Sequence, residues 1–246
     1  MHEALSRVAR AFLNHLFPPL CLQCRAEVGQ AGGLCAQCWS EIRFMEGPQC
    51  ACCGVAFEVP VYAGTRCAAC HAHPPSFERA RAVMRYDDAS KALVLAFKHA
   101  DRLDLTPTFV RWLVRAGYEL IHESDLIAAV PLHPRRLWWR RYNQAAELAR
   151  VLSSGVGRPY EPFLLRRARA TESQGAMVSA GARRRNVAGA FRVPEAYVSR
   201  LSGRSVLLID DVVTTGATVD ACARALKRAG ARRVDVLALA RVSRSI

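Results

Sequence analysis

Cysteine is the residue whose number and spacing in this sequence point most directly to a chemical role. Nine of its ten cysteines lie between Cys21 and Cys70. Eight of them form C-x2-C pairs: Cys21 with Cys24, Cys35 with Cys38, Cys50 with Cys53 and Cys67 with Cys70. Such a pair points two thiolates at one centre, and two pairs complete the tetrahedral four-sulfur site of structural zinc. The spacing therefore predicts about two structural Zn²⁺ ions rather than a disulfide framework.

The spacing leaves two details of these sites open. Cys52 is surplus and adjoins Cys53, but Cys50 preserves the x2 spacing and Gly54 suits the tight turn after the second ligand, so we assign Cys50 as the ligand. Each zinc site can be built from two C-x2-C pairs that are neighbours in the sequence, or from one pair of the first two and one pair of the last two. Residues 19–74 hold few large apolar side chains, so zinc is expected to supply their folding free energy. Cys222, far along the chain, is expected to be a small core residue.

A second group of polar residues follows an apolar run, Val206–Ile209, that is typical of a buried strand. Asp210 and Asp211 come directly after it, and two adjacent carboxylates suit a ribose diol. The next residues are Thr214, Thr215, Gly216, Ala217 and Thr218, which offer hydroxyls and a close backbone approach at the start of a predicted helix. A helix N-terminus of this kind binds phosphate. A Walker loop is excluded because the Gly-x4-Gly-Lys spacing is missing.

The elements around these residues alternate between short apolar runs and helical periodicity from Phe77 onward, which predicts an α/β fold with a parallel sheet and helices on both faces. Strands are expected near 82–86, 126–130, 162–165, 206–209 and 234–240, and helices near 105–120, 143–152 and up to about Ala229, before Gly230. The resulting domains are an N-terminal amphipathic helix (1–18), a double zinc ribbon (19–74) and an α/β domain (75–246).

Positive charge is concentrated in the second half of the chain. The net charge is +14, from 35 basic and 21 acidic side chains, and residues 131–192 hold thirteen Arg, no Lys and three acids. This stretch predicts an anionic partner, either phosphate or a nucleic acid backbone. Trp138 and Trp139 beside Arg140 and Arg141 are the combination with which single-strand binders stack bases. A solvated basic face is the alternative.

Membrane insertion is not predicted for this chain. No stretch reaches 18 uninterrupted apolar residues, and the first residues alternate apolar with basic side chains, unlike a signal peptide. We therefore expect a cytoplasmic protein whose first helix packs on the rest of the chain rather than on a membrane surface.

The segment Val206–Thr218 resembles the loop of type I phosphoribosyltransferases that binds phosphoribosyl pyrophosphate (PRPP). The whole chain resembles the ComF (ComFC/GntX) family through its cysteine pairs, Val130–Leu132, Arg140–Gln144, Gln174, Arg183-x2-Asn186 and this loop. The resemblance implies a type I phosphoribosyltransferase-like sheet, with Asp210 and Asp211 on the ribose hydroxyls and residues 214–218 on the 5′-phosphate. It further implies Mg²⁺ bridging ribose and pyrophosphate oxygens.

The candidates for contacting pyrophosphate, or alternatively DNA, are Arg135, Arg136, Arg140 and Arg141, with Lys98 a weaker one. Residues 166–186 fit the mobile lid of the same fold. One departure is visible, because family members usually read Arg-Gly-Phe-Asn-Gln where this chain has Arg141 and Tyr142 in the Gly and Phe places. If that glycine needs a positive φ, Arg141 is strained.

The resemblance implies a role in natural transformation, with incoming single-stranded DNA and competence-machinery proteins as partners. The alternative is an active PRPP-dependent transferase. Thr214 stands where 6-oxopurine enzymes carry a third Asp as acid/base group, which disfavours salvage of those purines. The sequence assigns no catalytic residue.

Overall fold

In the described part of the α/β domain, the strands form one four-stranded parallel sheet and one small antiparallel pair. A computed structural model describes residues 17–99, 102–133, 137–138, 141–169, 185 and 187–242. Its strands are β1 (Ala80–Arg85), β2 (Leu126–Ala129), β3 (Arg166–Arg167), β4 (Phe191–Arg192), β5 (Ser205–Val213) and β6 (Arg233–Arg241). The parallel sheet has the order β1-β6-β5-β2, and β3 pairs with β4.

The α-helices of the described residues range from four to thirteen residues in length. They are α1 (Ala36–Glu41), α2 (Ala68–Ala72), α3 (Asp88–His99), α4 (Thr106–Ala116), α5 (Tyr118–His122), α6 (Gln144–Val156), α7 (Val198–Leu201) and α8 (Ala217–Arg228). The Asn143 side chain caps α6 by accepting a hydrogen bond from the Ala145 N–H at 3.1 Å, and Gly157 ends that helix with φ 66°. Short 3-10 turns occupy Leu103–Leu105 and Glu195–Tyr197.

Apolar side chains from both faces of the sheet build two cores. Along β5, Val206 and Leu208 point to one face and pack with α8, whereas Leu207 and Ile209 point to the other and pack with α3, α4, α5 and α6. The predicted parallel sheet with helices on both faces is thus confirmed. The cysteine-rich segments divide in the same way, because Cys50, Cys53 and Cys70 join the first core and Leu22 and Ile42 join the second.

The segment between Pro159 and Leu165 differs from the prediction. The Ile127 N–H donates to the Pro159 carbonyl at 2.7 Å and the Glu161 N–H to the Ile127 carbonyl at 3.0 Å, after which the chain turns. The strand predicted at 162–165 was wrong, because proline lacks the N–H that a ladder needs and two prolines flank the single bridge. Leu164 and Leu165 are buried all the same.

The helix predicted at 105–120 is two helices that meet at Gly117. A Cβ on Gly117 would lie 2.5 Å from the Leu237 Cδ2 atom, so the absence of a side chain lets this turn approach the middle of β6 closely. The first sixteen residues, and with them most of the predicted N-terminal helix, lie outside the described part of the chain.

The cysteine-rich segment is attached to the edge strand β1. The Met45 N–H donates to the Val83 carbonyl and the Arg85 N–H to the Arg43 carbonyl, both at 2.8 Å, so residues 43–45 lie antiparallel to β1 and cover its open edge. The Ala80 N–H donates to the Cys52 carbonyl at 2.7 Å. Gly54 has φ 69°, and a Cβ there would lie 2.3 Å from the Ala80 carbonyl oxygen. The second half of the segment therefore sits directly against the sheet.

Candidate metal centres and phosphate-binding site

The structure gathers eight cysteines into two clusters of four. One consists of Cys21, Cys24, Cys35 and Cys38, the other of Cys50, Cys53, Cys67 and Cys70, and within each cluster the sulfur atoms all lie within 4.8 Å of one another. The pairs combine in sequence order rather than crossed. Cys52 lies outside the second cluster and is buried, and its backbone carbonyl holds β1 as described above.

The donor set of each cluster suits a structural zinc ion. In the first, the Cys35 N–H donates to the Cys21 sulfur at 3.3 Å; in the second, the Cys67 N–H donates to the Cys50 sulfur at the same distance. Such bonds favour the thiolate form that a metal binds. Four thiolates leave no open coordination position, so the clusters fit structural rather than catalytic zinc.

The thiols of a cluster differ in acidity. Burial opposes the ionisation of Cys21, but backbone N–H groups outweigh it and lower its pKa to about 6. Cys50 behaves alike: burial opposes ionisation, and hydrogen bonds from the N–H groups of residues 67, 53 and 52 lower its pKa to about 6. Burial raises the pKa of Cys38 and of Cys70. Backbone N–H groups thus favour the thiolate of Cys21 in the first cluster and of Cys50 in the second, and the thiolate is the form that binds a metal.

The two aspartates lie on strand β5 itself, not in a loop after it. β5 continues to Val213 because β6 is equally long and pairs with it as far as Val213 with Arg241. Since side chains alternate along a strand, Asp210 points to the α8 face and Asp211 to the α3 face. Each aspartate also fixes the strand end, because an oxygen of Asp210 accepts from the Asp211 N–H at 2.9 Å and one of Asp211 from the Val212 N–H at 2.6 Å.

The charge environments of these aspartates differ. Asp210 is 9% exposed, and burial raises its pKa well above the usual range, with the Asp211 carboxylate adding to the rise and Lys98 opposing it. Asp211 forms an ion pair with Lys98, whose Nζ lies 3.1 Å from Oδ2, and both side chains are largely shielded from solvent. The structure therefore brings Lys98, predicted as a weak pyrophosphate candidate, directly to the aspartate pair.

The turn after β5 presents hydroxyls and backbone to one small cleft. Gly216 precedes α8 with φ 82°, a conformation that disfavours other residues. The Thr215 hydroxyl accepts from the Ala217 N–H at 3.4 Å. The cleft at this turn is lined by Asp210, Val212, Val213, Thr214, Gly216, Thr218 and Val219. A helix N-terminus with hydroxyls and a glycine around it is suited to a phosphate group.

Residues 142–144 hold the end of α3 that carries Lys98. The Tyr142 hydroxyl donates to the Phe97 carbonyl, and the buried Gln144 amide donates to the Lys98 carbonyl at 3.1 Å. The Asn143 amide donates to the Val130 carbonyl at 3.0 Å. The sequence does not predict this clamp, and its signal is the polar triplet 142–144 at the start of α6.

The remaining sequence candidates are only partly described. Arg135, Arg136, Arg140 and Trp139 lie outside the described residues, as do 170–184 and 186 of the predicted lid. Arg141 has φ 62°, the left-handed conformation for which the family's glycine is suited, at a cost of about 1–2 kcal/mol. Trp138 is 82% exposed. Within the described part of the chain, every helix is too short or too polar to traverse a bilayer.

Taken together, the fold and clusters define a double zinc ribbon joined to a phosphoribosyltransferase-like domain. Comparison with known protein families matches residues 12–71 to the double zinc ribbon domain and residues 143–245 to the phosphoribosyl transferase domain. The chain belongs to the ComF family, which includes competence protein F and the DNA utilization protein YhgH.

Three relatives illustrate the range of the similarity. The DNA utilization protein YhgH of Salmonella typhimurium is 32% identical over 233 residues, covering 91% of this chain and 97% of the relative. Competence protein F of Haemophilus influenzae is 30% identical over 227 residues, covering 90% and 96%. Adenine phosphoribosyltransferase of Rhodococcus jostii is 34% identical over 144 residues, covering 54% and 69%.

Proposed function

We propose that this protein binds PRPP together with Mg²⁺ at the end of β5, and that it does so as a component acting on incoming single-stranded DNA in natural transformation. The observation that carries the proposal is the order of groups along one strand end. Asp210 and Asp211 suit the ribose hydroxyls, and residues 214–218 at the start of α8 suit the 5′-phosphate.

Lys98 supports the same assignment. It is held beside Asp211 by the clamp on α3, and an ammonium group at this strand end is suited to the negative charge of PRPP. Mg²⁺ characteristically binds through one or two carboxylates and the oxygens of a substrate phosphate, which agrees with a strand end that carries two aspartates.

The DNA part of the proposal is supported by charge and by the relatives. Residues 131–192 carry thirteen Arg against three acids, and the exposed Trp138 lies within this stretch. This pairing of cations with an aromatic ring is the usual means of binding a single strand. Two relatives spanning most of the chain are named for competence and DNA utilization. Competence-machinery proteins are the partners this role implies.

A second candidate function is transfer of the phosphoribosyl group to an acceptor. It is favoured by the partial similarity to a relative named adenine phosphoribosyltransferase. Thr214 in place of an acid/base Asp argues against 6-oxopurine acceptors. Release of pyrophosphate from PRPP, measured with candidate acceptors and with single-stranded DNA, separates the transferase from a protein that only binds PRPP.

PRPP binding is tested by calorimetry on the zinc-loaded protein. We expect one PRPP per chain in the presence of Mg²⁺ and weaker binding in a chelator mild enough to leave the zinc in place. Ribose 5-phosphate is expected to compete, because it carries both the diol and the phosphate. Absence of binding at millimolar PRPP with Mg²⁺ would refute the proposal, and inorganic pyrophosphate competing while ribose 5-phosphate does not would relocate the site to the basic stretch.

Single-stranded DNA affinity is expected to fall steeply with salt, because basic side chains on a backbone release counterions. For about four phosphate contacts the log–log slope would be about −3, and replacing Arg135, Arg136, Arg140 and Arg141 with Ala should flatten it. Fluorescence anisotropy of a labelled oligonucleotide over a salt series measures both. If the variant with all four substitutions keeps the slope but no longer binds PRPP, the arginines contact pyrophosphate instead. If it binds neither DNA nor PRPP, the binding sites of the two ligands overlap.

A further inference from the structure

A fifth thiol lies against the second cysteine cluster. Cys52 is not one of the four thiols of that cluster, yet it is buried in the same core as Cys50, Cys53 and Cys70. Burial raises the pKa of Cys52, and a side-chain hydrogen bond with Cys70 opposes that rise. The surplus thiol is therefore a direct neighbour of one sulfur of the metal centre. A structural zinc site needs only four thiolates, so the fifth thiol calls for a different explanation.

Small molecules from the solvent can reach the Cys70 sulfur. A cavity of about 720 Å³ borders this cluster, and Cys53, Cys67 and Cys70 form part of its wall. The exposed residues Ala69 and His73 belong to the same wall, so the cavity opens to water. Cys52 does not line it, and a reagent in the cavity therefore meets Cys70 before it meets Cys52.

The sulfur atoms of the cluster differ in the hydrogen bonds that they accept from the backbone. Cys50 accepts from the Cys53 N–H at 3.4 Å and from the Cys67 N–H at 3.3 Å. Such bonds withdraw electron density, and a less basic thiolate is a weaker nucleophile. In the described part of the chain, the interactions of the Cys70 sulfur are with other thiols instead. Once zinc has replaced its proton, Cys70 therefore keeps the more nucleophilic thiolate.

We propose that the second zinc ribbon is a reversible oxidation site for peroxides, in which Cys70 is the thiolate that reacts and Cys52 is the thiol that resolves the product. The arrangement of a reactive thiolate in a solvent-filled wall with a resolving cysteine directly behind it is typical of redox-sensing sites. Disulfides in a reducing compartment usually have such a transient role.

The reaction balances with hydrogen peroxide as the oxidant. The Cys70 thiolate attacks one peroxide oxygen, the O–O bond breaks, and hydroxide leaves while Cys70 becomes a sulfenic acid. The Cys52 thiol then attacks the Cys70 sulfur, the S–O bond breaks, and water leaves as the Cys52–Cys70 disulfide forms. Two electrons pass from the two thiols to the peroxide. The cluster is left with three thiolates and releases its zinc.

Cys52 makes this oxidation reversible. A sulfenic acid without a neighbouring thiol is oxidised further to a sulfinic acid, which thiol reductants do not restore. A disulfide, in contrast, is returned to two thiols by reductants, and the cluster can then bind zinc again. Because Cys50, Cys53 and Cys70 belong to the core under α8, oxidation is expected to loosen the packing beneath that helix.

The test is oxidation of the full, zinc-loaded chain with hydrogen peroxide. Released zinc is measured with a colorimetric chelator, and the cysteine products are mapped by mass spectrometry after alkylation. We expect the wild type to lose about one of its two zinc ions, to form the Cys52–Cys70 disulfide, and to recover the ion after treatment with dithiothreitol and Zn²⁺.

Cys52→Ser is expected to begin with the same zinc content and to lose the second ion without recovery, with Cys70 found as the sulfinic acid. Cys222→Ser is the matched control, because Cys222 is also buried but lies on α8 outside both clusters. It should behave as the wild type does. Cys52→Ala repeats the test without a hydroxyl in the core.

Three results would each overturn the inference. They are an oxidised wild type without the Cys52–Cys70 disulfide, full recovery of zinc in both Cys52 variants, and two zinc ions retained by the wild type when Cys70 is oxidised. None of these measurements involves PRPP, so their outcome is independent of the proposed function.

Discussion

Asp210→Asn is expected to raise the melting temperature of the ligand-free protein and to weaken PRPP binding at least about tenfold. Burial raises the pKa of Asp210 well above its usual range, so ionisation of this carboxyl costs free energy in the folded protein. Asparagine keeps the oxygen that accepts from the Asp211 N–H and removes that cost. Loss of a charge-assisted hydrogen bond to a ribose hydroxyl costs about 1.5–3 kcal/mol, at least about tenfold in affinity. Scanning calorimetry and PRPP titration measure the two effects.

Asp211→Asn is the matched control, since it removes the other aspartate but changes stability in the opposite direction. Asp211 is paired with Lys98 in a largely shielded position, so its neutralisation leaves a buried ammonium without its counter-charge. We expect a lower melting temperature and a similar loss of PRPP. A lower melting temperature for Asp210→Asn, or PRPP affinity unchanged in both variants, would contradict this account of the strand end.

The pH dependence of stability follows from the same raised pKa. A carboxyl whose folded pKa lies above its unfolded value binds more protons in the folded state, so its contribution is fully present below the unfolded pKa and is lost as the pH rises through the folded one. As the pH rises from the unfolded to the folded pKa of Asp210, the wild type should therefore lose stability relative to Asp210→Asn. Urea unfolding of both proteins across this interval gives the difference.

The local chemistry of the site could be predicted from the sequence, whereas its long-range partners could not. C-x2-C spacing and the Asp-Asp-loop pattern are local, so they indicated the thiol sets and the phosphate turn directly. The contact between Lys98 and Asp211 depends on how α3 packs on the sheet, and no local pattern contains it. The same holds for Gln144, whose burial against the end of α3 depends on the register of α6.

The spacing of the cysteines also could not predict where the zinc ribbons lie on the sheet. Their two halves contribute to opposite cores of the sheet, because residues 43–45, which connect them, run along the edge of β1. Only the second half therefore borders the phosphate loop. β5 extends past the predicted boundary for a comparable reason: its length is set by pairing with β6 rather than by its own apolar run.

Cys50→Ser is expected to reduce the zinc content from about two ions per chain to about one and to unfold the second ribbon. Cys50 is fully buried, lies in the second cluster and accepts hydrogen bonds from the Cys53 and Cys67 N–H groups. Apparent zinc-binding free energies of about 10–16 kcal/mol rival the whole stability of a domain. Because Cys50, Cys53 and Cys70 are part of the core under α8, the loss should reach the phosphate turn and weaken PRPP binding.

Cys52→Ser separates metal ligation from burial, since the two neighbouring cysteines are both buried and only one belongs to the cluster. The serine hydroxyl preserves the shape and leaves the backbone carbonyl that holds Ala80, so two zinc ions and near-normal PRPP binding are expected. Metal analysis of protein purified without chelator measures the zinc content of both variants, and thermal unfolding measures their stability. Two ions in Cys50→Ser with one in Cys52→Ser would reassign the ligand, because the surplus thiol would then replace Cys50 in the tetrahedron and shift the first knuckle by two residues.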